Sequence, residues 1–310
     1  MTLRRAGIDV GGTKCLGVVL DEHGEVVAEH RLPTPKGPDA IVDTLAAVAA
    51  ALGEYDTLGL GVPGLITRDG SILASPNLTD TNDFRVGPLL ADRLGRQVWV
   101  ENDATCATVA EWMVGAARGA TDFMMVTLGT GIGGGVVADG HVVRGVNGFA
   151  GEIGHMVLDP DGPRCPCGRR GCWERYASGS GLGWLAREAL REAPLPRVLE
   201  LAGGNPADVR GEHVQVAAAD GDTGALAVVD TFCRWVALGL ANLTNLLDPA
   251  RFVIGGGLAA APGVFLPAIR SHLDHMLYSG TTVRPQPSIA FAALGPHAGA
   301  VGAAMLPQVH

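Results

Sequence analysis

Three cysteines fall within eight positions, Cys165, Cys167 and Cys172, and His155 stands ten residues before the first of them. Three thiolates and one imidazole complete a closed tetrahedral Zn2+ shell with no position open for a reactive water, so the metal such a set would hold is structural. Cys15, Cys106 and Cys233 are scattered. Clustering in a large chain with no secretory leader favours metal over disulfides. One ring nitrogen of His155 bound to metal leaves the other for a hydrogen bond. A second chemistry sits at Asp9-Val10-Gly11-Gly12-Thr13-Lys14, where glycine N–H groups can approach an anion without side-chain obstruction. Asp9 suits a hydrated Mg2+ and Thr13 offers a hydroxyl, while Lys14 either adds positive charge or is simply solvated. Gly129-Thr130-Gly131 repeats the pattern, and two such turns could hold a polyphosphate from both sides of a cleft. Either alone reads equally well as an ordinary hairpin with glycines in its turn. Val98 to Asp103 ends a strand with a carboxylate at the mouth of a helix, where the dipole favours negative charge. Asn102 or Asp103 could equally be a plain N-cap there. Gly255-Gly256-Gly257 fits an adenosine lying against bare backbone and a helix-capping turn about equally.

The elements that must position these groups follow from periodicity. The segments around the two turns correspond at a constant offset of 118 positions, Gly11 with Gly129, Gly17 with Gly135, Val18-Val19 with Val136-Val137 and Asp21 with Asp139. Each reads as a strand, a tight turn and a returning hairpin, one per half, which predicts duplicated lobes. Ala40 to Leu52 reads as an amphipathic helix, Leu58 to Val62 as a strand ending at Pro63-Gly64, and Asp103 to Ala116 as a helix. Gly181 to Glu192 reads as a helix capped by Ser178 or Ser180, and Asp222 to Leu247 as one long helix or two abutting ones. Met124-Met125 and Trp112, Trp184 and Trp235 fall in apolar segments and read as core. Strands alternate with helices, so the class is α/β. At 310 residues the chain exceeds one core, and two lobes around a cleft are expected.

In order, DVGGTK, VENDA, LGTGIGGG, EIGH, CPCGRRGCWE and VIGGG resemble the ROK family of sugar kinases and sugar-responsive repressors. The resemblance covers nearly the whole chain. The cysteine segment followed by Tyr176-Ala177-Ser178-Gly179 is most similar to the zinc-containing bacterial glucokinases of that family. It implies the actin-like (ribonuclease H-like) duplicated ATPase fold. A small lobe of residues 1–117, completed by a final helix over 296–310, would be joined to a large lobe of 118–295 that carries the zinc segment 155–174. It implies ATP-dependent phosphorylation of a hexose, glucose to glucose 6-phosphate first, by in-line transfer with Asp103 as general base. Asn77, Asn102, Glu152, His155 and Glu174 match family positions that contact the sugar, with the Gly64 backbone a weaker candidate. Asp9, Gly11, Gly12, Thr13, Lys14, Gly129, Thr130, Gly131, Gly255, Gly256 and Gly257 match the ATP and phosphate positions. His155, Cys165, Cys167 and Cys172 match the zinc ligands. The cofactors implied are ATP with Mg2+ and a structural Zn2+, and the assembly implied is a dimer or tetramer.

The alternatives are a kinase for N-acetylglucosamine, N-acetylmannosamine, mannose or fructose, a non-catalytic sugar-binding module, and a sugar-responsive repressor. The repressor needs a helix-turn-helix ahead of the first turn, for which Asp9 leaves no room, and the net charge of −9 repels polyanions. No leader precedes the first strand, and stretches such as Trp235 to Leu247 are too short for a bilayer. A soluble cytoplasmic enzyme binding sugar and ATP, with neither nucleic acid nor membrane as partner, is expected. The composition, 47% hydrophobic and 18% charged, is that of a well-buried globular chain.

Overall fold

The computed structural model describes residues 3–278, 280 and 283–310; Met1 and Thr2, at the head of the first expected lobe, lie outside them. Two compact units are formed, the first from Met1–Met125, Gly135–Gly151 and Ala292–His310, the second from Val126–Gly134 and Glu152–Phe291.

The chain opens with β1 (Arg5–Val10), β2 (Lys14–Leu20) and β3 (Val26–Pro33), an antiparallel meander. Helix α1 (Pro38–Ala51) starts on Pro38, whose missing N–H costs nothing in a first turn, and buries Ile41, Leu45 and Val48 on one face. Strand β4 (Thr57–Val62), the short pair β5 (Leu65–Ile66) and β6 (Ile72–Ala74), α2 (Val86–Leu94), β7 (Trp99–Asn102) and α3 (Asp103–Met113) follow. The first sheet runs β3-β2-β1-β4-β7, with β4 parallel to both β1 and β7. Asp9 pairs with Gly61 and Gly61 with Glu101, so β1, β4 and β7 end together at their carboxyl ends, where open α/β sheets place ligands.

Strands β8 (Phe123–Leu128), β9 (Ile132–Ala138) and β10 (His141–Val142) stand at the offset read from the sequence; β8 and β9 begin and end 118 positions after β1 and β2. A long stretch then holds only the 3-10 turn Ile153–His155 before α4 (Glu174–Ala177), α5 (Gly179–Ala189), α6 (Pro196–Leu201), α7 (Gly211–Ala219) and α8 (Thr223–Leu247). Strand β11 (Arg251–Gly255), α9 (Pro262–Met276), β12 (Ser288–Phe291) and α10 (Ala298–Met305) complete the chain. The second sheet runs β10-β9-β8-β11-β12, the same permutation as the first. In the first unit α10 packs on α3, β1 and β4. It approaches because Gly7 and Gly59 carry no side chain; a Cβ on either would strike the carbonyls of Ala300 and Ala303.

Two expectations change, and one pair of alternatives is resolved. The segment Asp222 to Leu247 is a single helix of 25 residues capped by Asp222, so the apolar run is not too short to cross a bilayer. Its apolarity has another cause: Phe232, Val236, Leu240 and Leu243 are buried in the second unit, where α8 packs on α4, α5, α7 and α9. Trp112, Trp184 and Trp235 are half-buried rather than fully buried; Trp173, inside the cysteine segment, is the fully buried one. Met124 and Met125 are core.

Candidate active site

In the first unit the turn after β1 is closed by the Gly11 N–H donating to the Lys14 carbonyl at 2.8 Å, and the Thr34 hydroxyl donates to the Gly11 carbonyl at 2.7 Å. Thr13 and Gly12 are exposed, and Gly12 lies against the backbone of Asn77, itself exposed. Asp9 stands at the end of β1. Its carboxyl is pushed up to about 7, first by desolvation and then by the negative charge of Asp103, with Lys14 acting in the opposite sense. Asp103 is the first residue of α3, and burial raises its carboxyl above the ordinary range although the Ala104 N–H donates to it at 2.9 Å. Both carboxylates keep some surface while the atoms around them crowd out water. That is the environment of an acid tuned toward neutrality.

Asn102, not Asp103, is the N-cap of α3: its Oδ1 accepts from the N–H groups of Ala104 and Thr105 at 2.9 and 3.1 Å. Its Nδ2 donates to the carbonyl of Gly64 at 3.0 Å. The capping load therefore falls on Asn102, and Asp103 keeps one carboxylate oxygen for other work. Gly64 has φ 113°, a conformation that a side chain would strain. Asp9, Gly12, Gly64, Asn77, Asn102 and Asp103 are thus linked within one unit.

In the second unit the Gly129 N–H donates to the Gly131 carbonyl at 3.0 Å, and the Gly133 N–H to the Thr127 hydroxyl at 3.1 Å. Thr130 is exposed at the tip. Gly255 is a buried strand residue, whereas Gly256 and Gly257 are exposed. Gly256, at φ 85°, sits so close to the backbone of Leu128 and Gly129 that a Cβ would collide with it, so the two glycine segments are neighbours. Gly256 is also the residue before the 3-10 helix Gly257–Ala260, so the capping geometry is present as well.

The ligand atoms of His155, Cys165, Cys167 and Cys172 all lie within 4.8 Å of one another. Cys167 and Cys172 Sγ are 3.6 Å apart and His155 Nδ1 is 3.8 Å from Cys165 Sγ. Bonds of about 2.3 Å to a tetrahedral Zn2+ imply ligand separations of about 3.8 Å, so the donor set fits this ion. Gly168 and Gly171, at φ 91° and 62°, supply the turns that fold the cysteines inward. With Nδ1 toward Cys165, Nε2 of His155 faces Glu152 at 4.0 Å. Glu174 accepts from the Ile132 N–H at 2.9 Å and thereby joins the second turn.

Sequence reasoning gave no role to two buried acids. Glu101 pairs with Arg144 Nε at 2.6 Å, and Glu111 accepts from the N–H groups of Ala116, Ala293 and Leu294. A charged residue inside an otherwise apolar run is the signal that such partners exist.

The ROK family profile matches residues 5–309. The glucokinase of Streptomyces coelicolor (strain ATCC BAA-471 / A3(2) / M145) is 39% identical over 309 residues, covering 97% of this chain and 96% of that protein. The xylose repressor of Bacillus subtilis (strain 168) is 30% identical over 307 residues, 96% of this chain and 74% of that protein. The crystal structure of a ROK family glucokinase from Streptomyces griseus in complex with glucose and AMPPNP superposes with a TM-score of 0.85 at 36% identity, covering 98% of each chain. The duplicated sheets are those of the actin-like ATPase fold, and the chain belongs to the ROK family.

Proposed function

We propose that this protein is a sugar kinase that transfers the γ-phosphoryl group of ATP to a hexose, with glucose as acceptor and glucose 6-phosphate as product. The observation that carries the reading is the placement of Asp103. It is a carboxylate at the first position of α3, with Asn102 as the N-cap, its pKa raised by burial, and its negative charge adds to the rise at Asp9. Likeness to glucokinases, at 39% and 36% identity, supports the same assignment.

Asp103 accepts the proton of the attacking sugar hydroxyl as its oxygen bonds to the γ-phosphorus and the bond to the β-phosphate oxygen breaks. Asn102, Asn77, Glu152, His155 and Glu174, with the Gly64 backbone, take the remaining hydroxyls. Backbone N–H groups at Gly12 and Thr13 and at Thr130 and Gly131 receive phosphate oxygens, the N–H groups of Gly11 and Gly129 being spent on closing the two turns, with Lys14 adding charge. The bare backbone of Gly255, Gly256 and Gly257 accepts the adenosine. Asp9 would orient a Mg2+, which would supply charge neutralisation to the polyphosphate. His155, Cys165, Cys167 and Cys172 would hold a Zn2+ that would supply rigidity, and the His155 ring so fixed presents Nε2 to the sugar. The enzyme works as a soluble cytoplasmic homo-oligomer on small molecules alone. A panel of hexoses with ATP and Mg2+, read as kcat/KM, tests the proposal: glucose leads, and N-acetylglucosamine and N-acetylmannosamine trail because an acetamido group fills the space of the 2-hydroxyl. Absence of phosphorylation of any hexose by folded protein would overturn it.

A further inference from the structure

Glu174 has a second partner that a sugar-binding role does not require. Its Oε2 accepts from the Ile132 N–H at 2.9 Å and lies directly over Gly131, where a Cβ would collide with it. Its Oε1 makes no hydrogen bond among the described residues. The residues on either side of Glu174 are fixed with unusual thoroughness. Cys172 belongs to the thiol cluster, and Trp173 is fully buried, donating its indole N–H to the Trp235 carbonyl at 2.8 Å. The Tyr176 hydroxyl donates to Asp159 at 2.7 Å, and the ring stacks on Trp235. Five residues past Glu174, the Gly179 N–H donates to the Gly129 carbonyl at 2.7 Å. The segment from Cys172 to Gly179 therefore grips the second glycine turn at both ends, Ile132 through a side chain and Gly129 through the backbone.

We propose that Glu174 is a positioning residue for the nucleotide, holding the turn Gly129–Ile132 with one carboxylate oxygen while offering the other to the sugar. The turn's N–H groups are useful to a phosphate only if they converge before it arrives, and a charge-assisted hydrogen bond to its last residue removes the freedom that would spread them. One carboxylate thus serves both substrates, and the metal-binding segment sets the shape of the phosphate turn as well as a sugar contact. This inference rests on the kinase reading.

The test is calorimetric binding of AMPPNP with Mg2+ in the absence of sugar, for wild type, Glu174→Ala and Glu174→Gln. Gln keeps a carbonyl oxygen for the Ile132 N–H and Ala does not. Glu174→Ala is expected to bind AMPPNP about tenfold more weakly and Glu174→Gln within about threefold of wild type, the loss of a charge-assisted hydrogen bond being of that size. Both should show a raised KM for sugar. Hydrogen exchange of the Ile132 amide, read on the same proteins without ligand, should quicken in Glu174→Ala only. Should Glu174→Ala not fold, Glu174→Asp keeps the charge one methylene short of Ile132 and is expected to weaken AMPPNP binding likewise. Unchanged AMPPNP affinity together with unchanged Ile132 exchange in the folded variant overturns the proposal. Failure of wild type to bind AMPPNP would instead overturn the kinase reading, and Ile132 exchange would still report on the Glu174 contact.

Discussion

The two glycine turns share a backbone and differ in what the strand delivers to them. Two residues before Gly11 stands Asp9, a desolvated carboxylate facing the charge of Asp103; two residues before Gly129 stands Thr127, a hydroxyl engaged by the Gly133 N–H. The first unit keeps ionisable groups at its turn at a cost in solvation. The second spends its polar side chains on bonding the turn, through Thr127 and Glu174, and adds a His–Cys cluster whose donor atoms could hold a metal ion. On the proposed kinase reading the duplicated fold has divided labour: one copy would do acid–base and cation work, the other would present a rigid anion cradle.

The largest test of this division lies behind the second turn. Cys172→Ser, or stripping the metal with a chelator, is expected to destabilise the second unit by several kcal/mol, because structural zinc contributes folding energy outright. Calorimetry would show a large fall in thermal midpoint, and an unchanged midpoint would mean the cluster carries no metal. Next, Asp9→Ala should lower kcat by about 10² to 10⁴ without lowering the thermal midpoint. A loss as large in Thr127→Val would erase the comparison.

The third prediction concerns pH. Asp9 has a folded-state pKa of about 7 against an ordinary 3.8, so the folded protein holds the proton more tightly than the unfolded chain between those values. Stability must then fall as pH rises through that window. Asp9→Asn cannot ionise and is expected to be more stable than wild type at pH 8, by up to about 4 kcal/mol, with the gap closing by pH 4. Thermal midpoints in magnesium-free buffer at the two pH values check this. The smallest effect is Thr127→Val, which removes one hydrogen bond and should cost about 1 kcal/mol in denaturant unfolding, with a modest rise in KM for ATP.

What the sequence disclosed was local. The offset between β1–β2 and β8–β9 was legible because glycine turns and apolar alternation are written in consecutive residues. The cysteine cluster was legible because chelation by close neighbours needs tight turns, and Gly168 and Gly171 supply them. The cap of α3 was narrowed to Asn102 or Asp103 but not decided, since the choice depends on the Gly64 carbonyl that also engages Asn102, 38 residues away. Glu174 and Ile132, 42 apart, and Arg144 and Glu101, 43 apart, meet only once the chain is folded. Apolar periodicity marked the helices of Trp184 and Trp235 but could not separate a half-buried indole from a fully buried one.

The account stands on Asp103, and its most direct test is steady-state kinetics of Asp103→Asn with glucose and MgATP. The amide keeps the shape of the side chain and cannot take a proton. Turnover is predicted to fall by about 10² to 10⁴ while AMPPNP binding stays within a few-fold of wild type. Turnover equal to that of the wild-type protein would contradict the assignment of the base and the mechanism built on it.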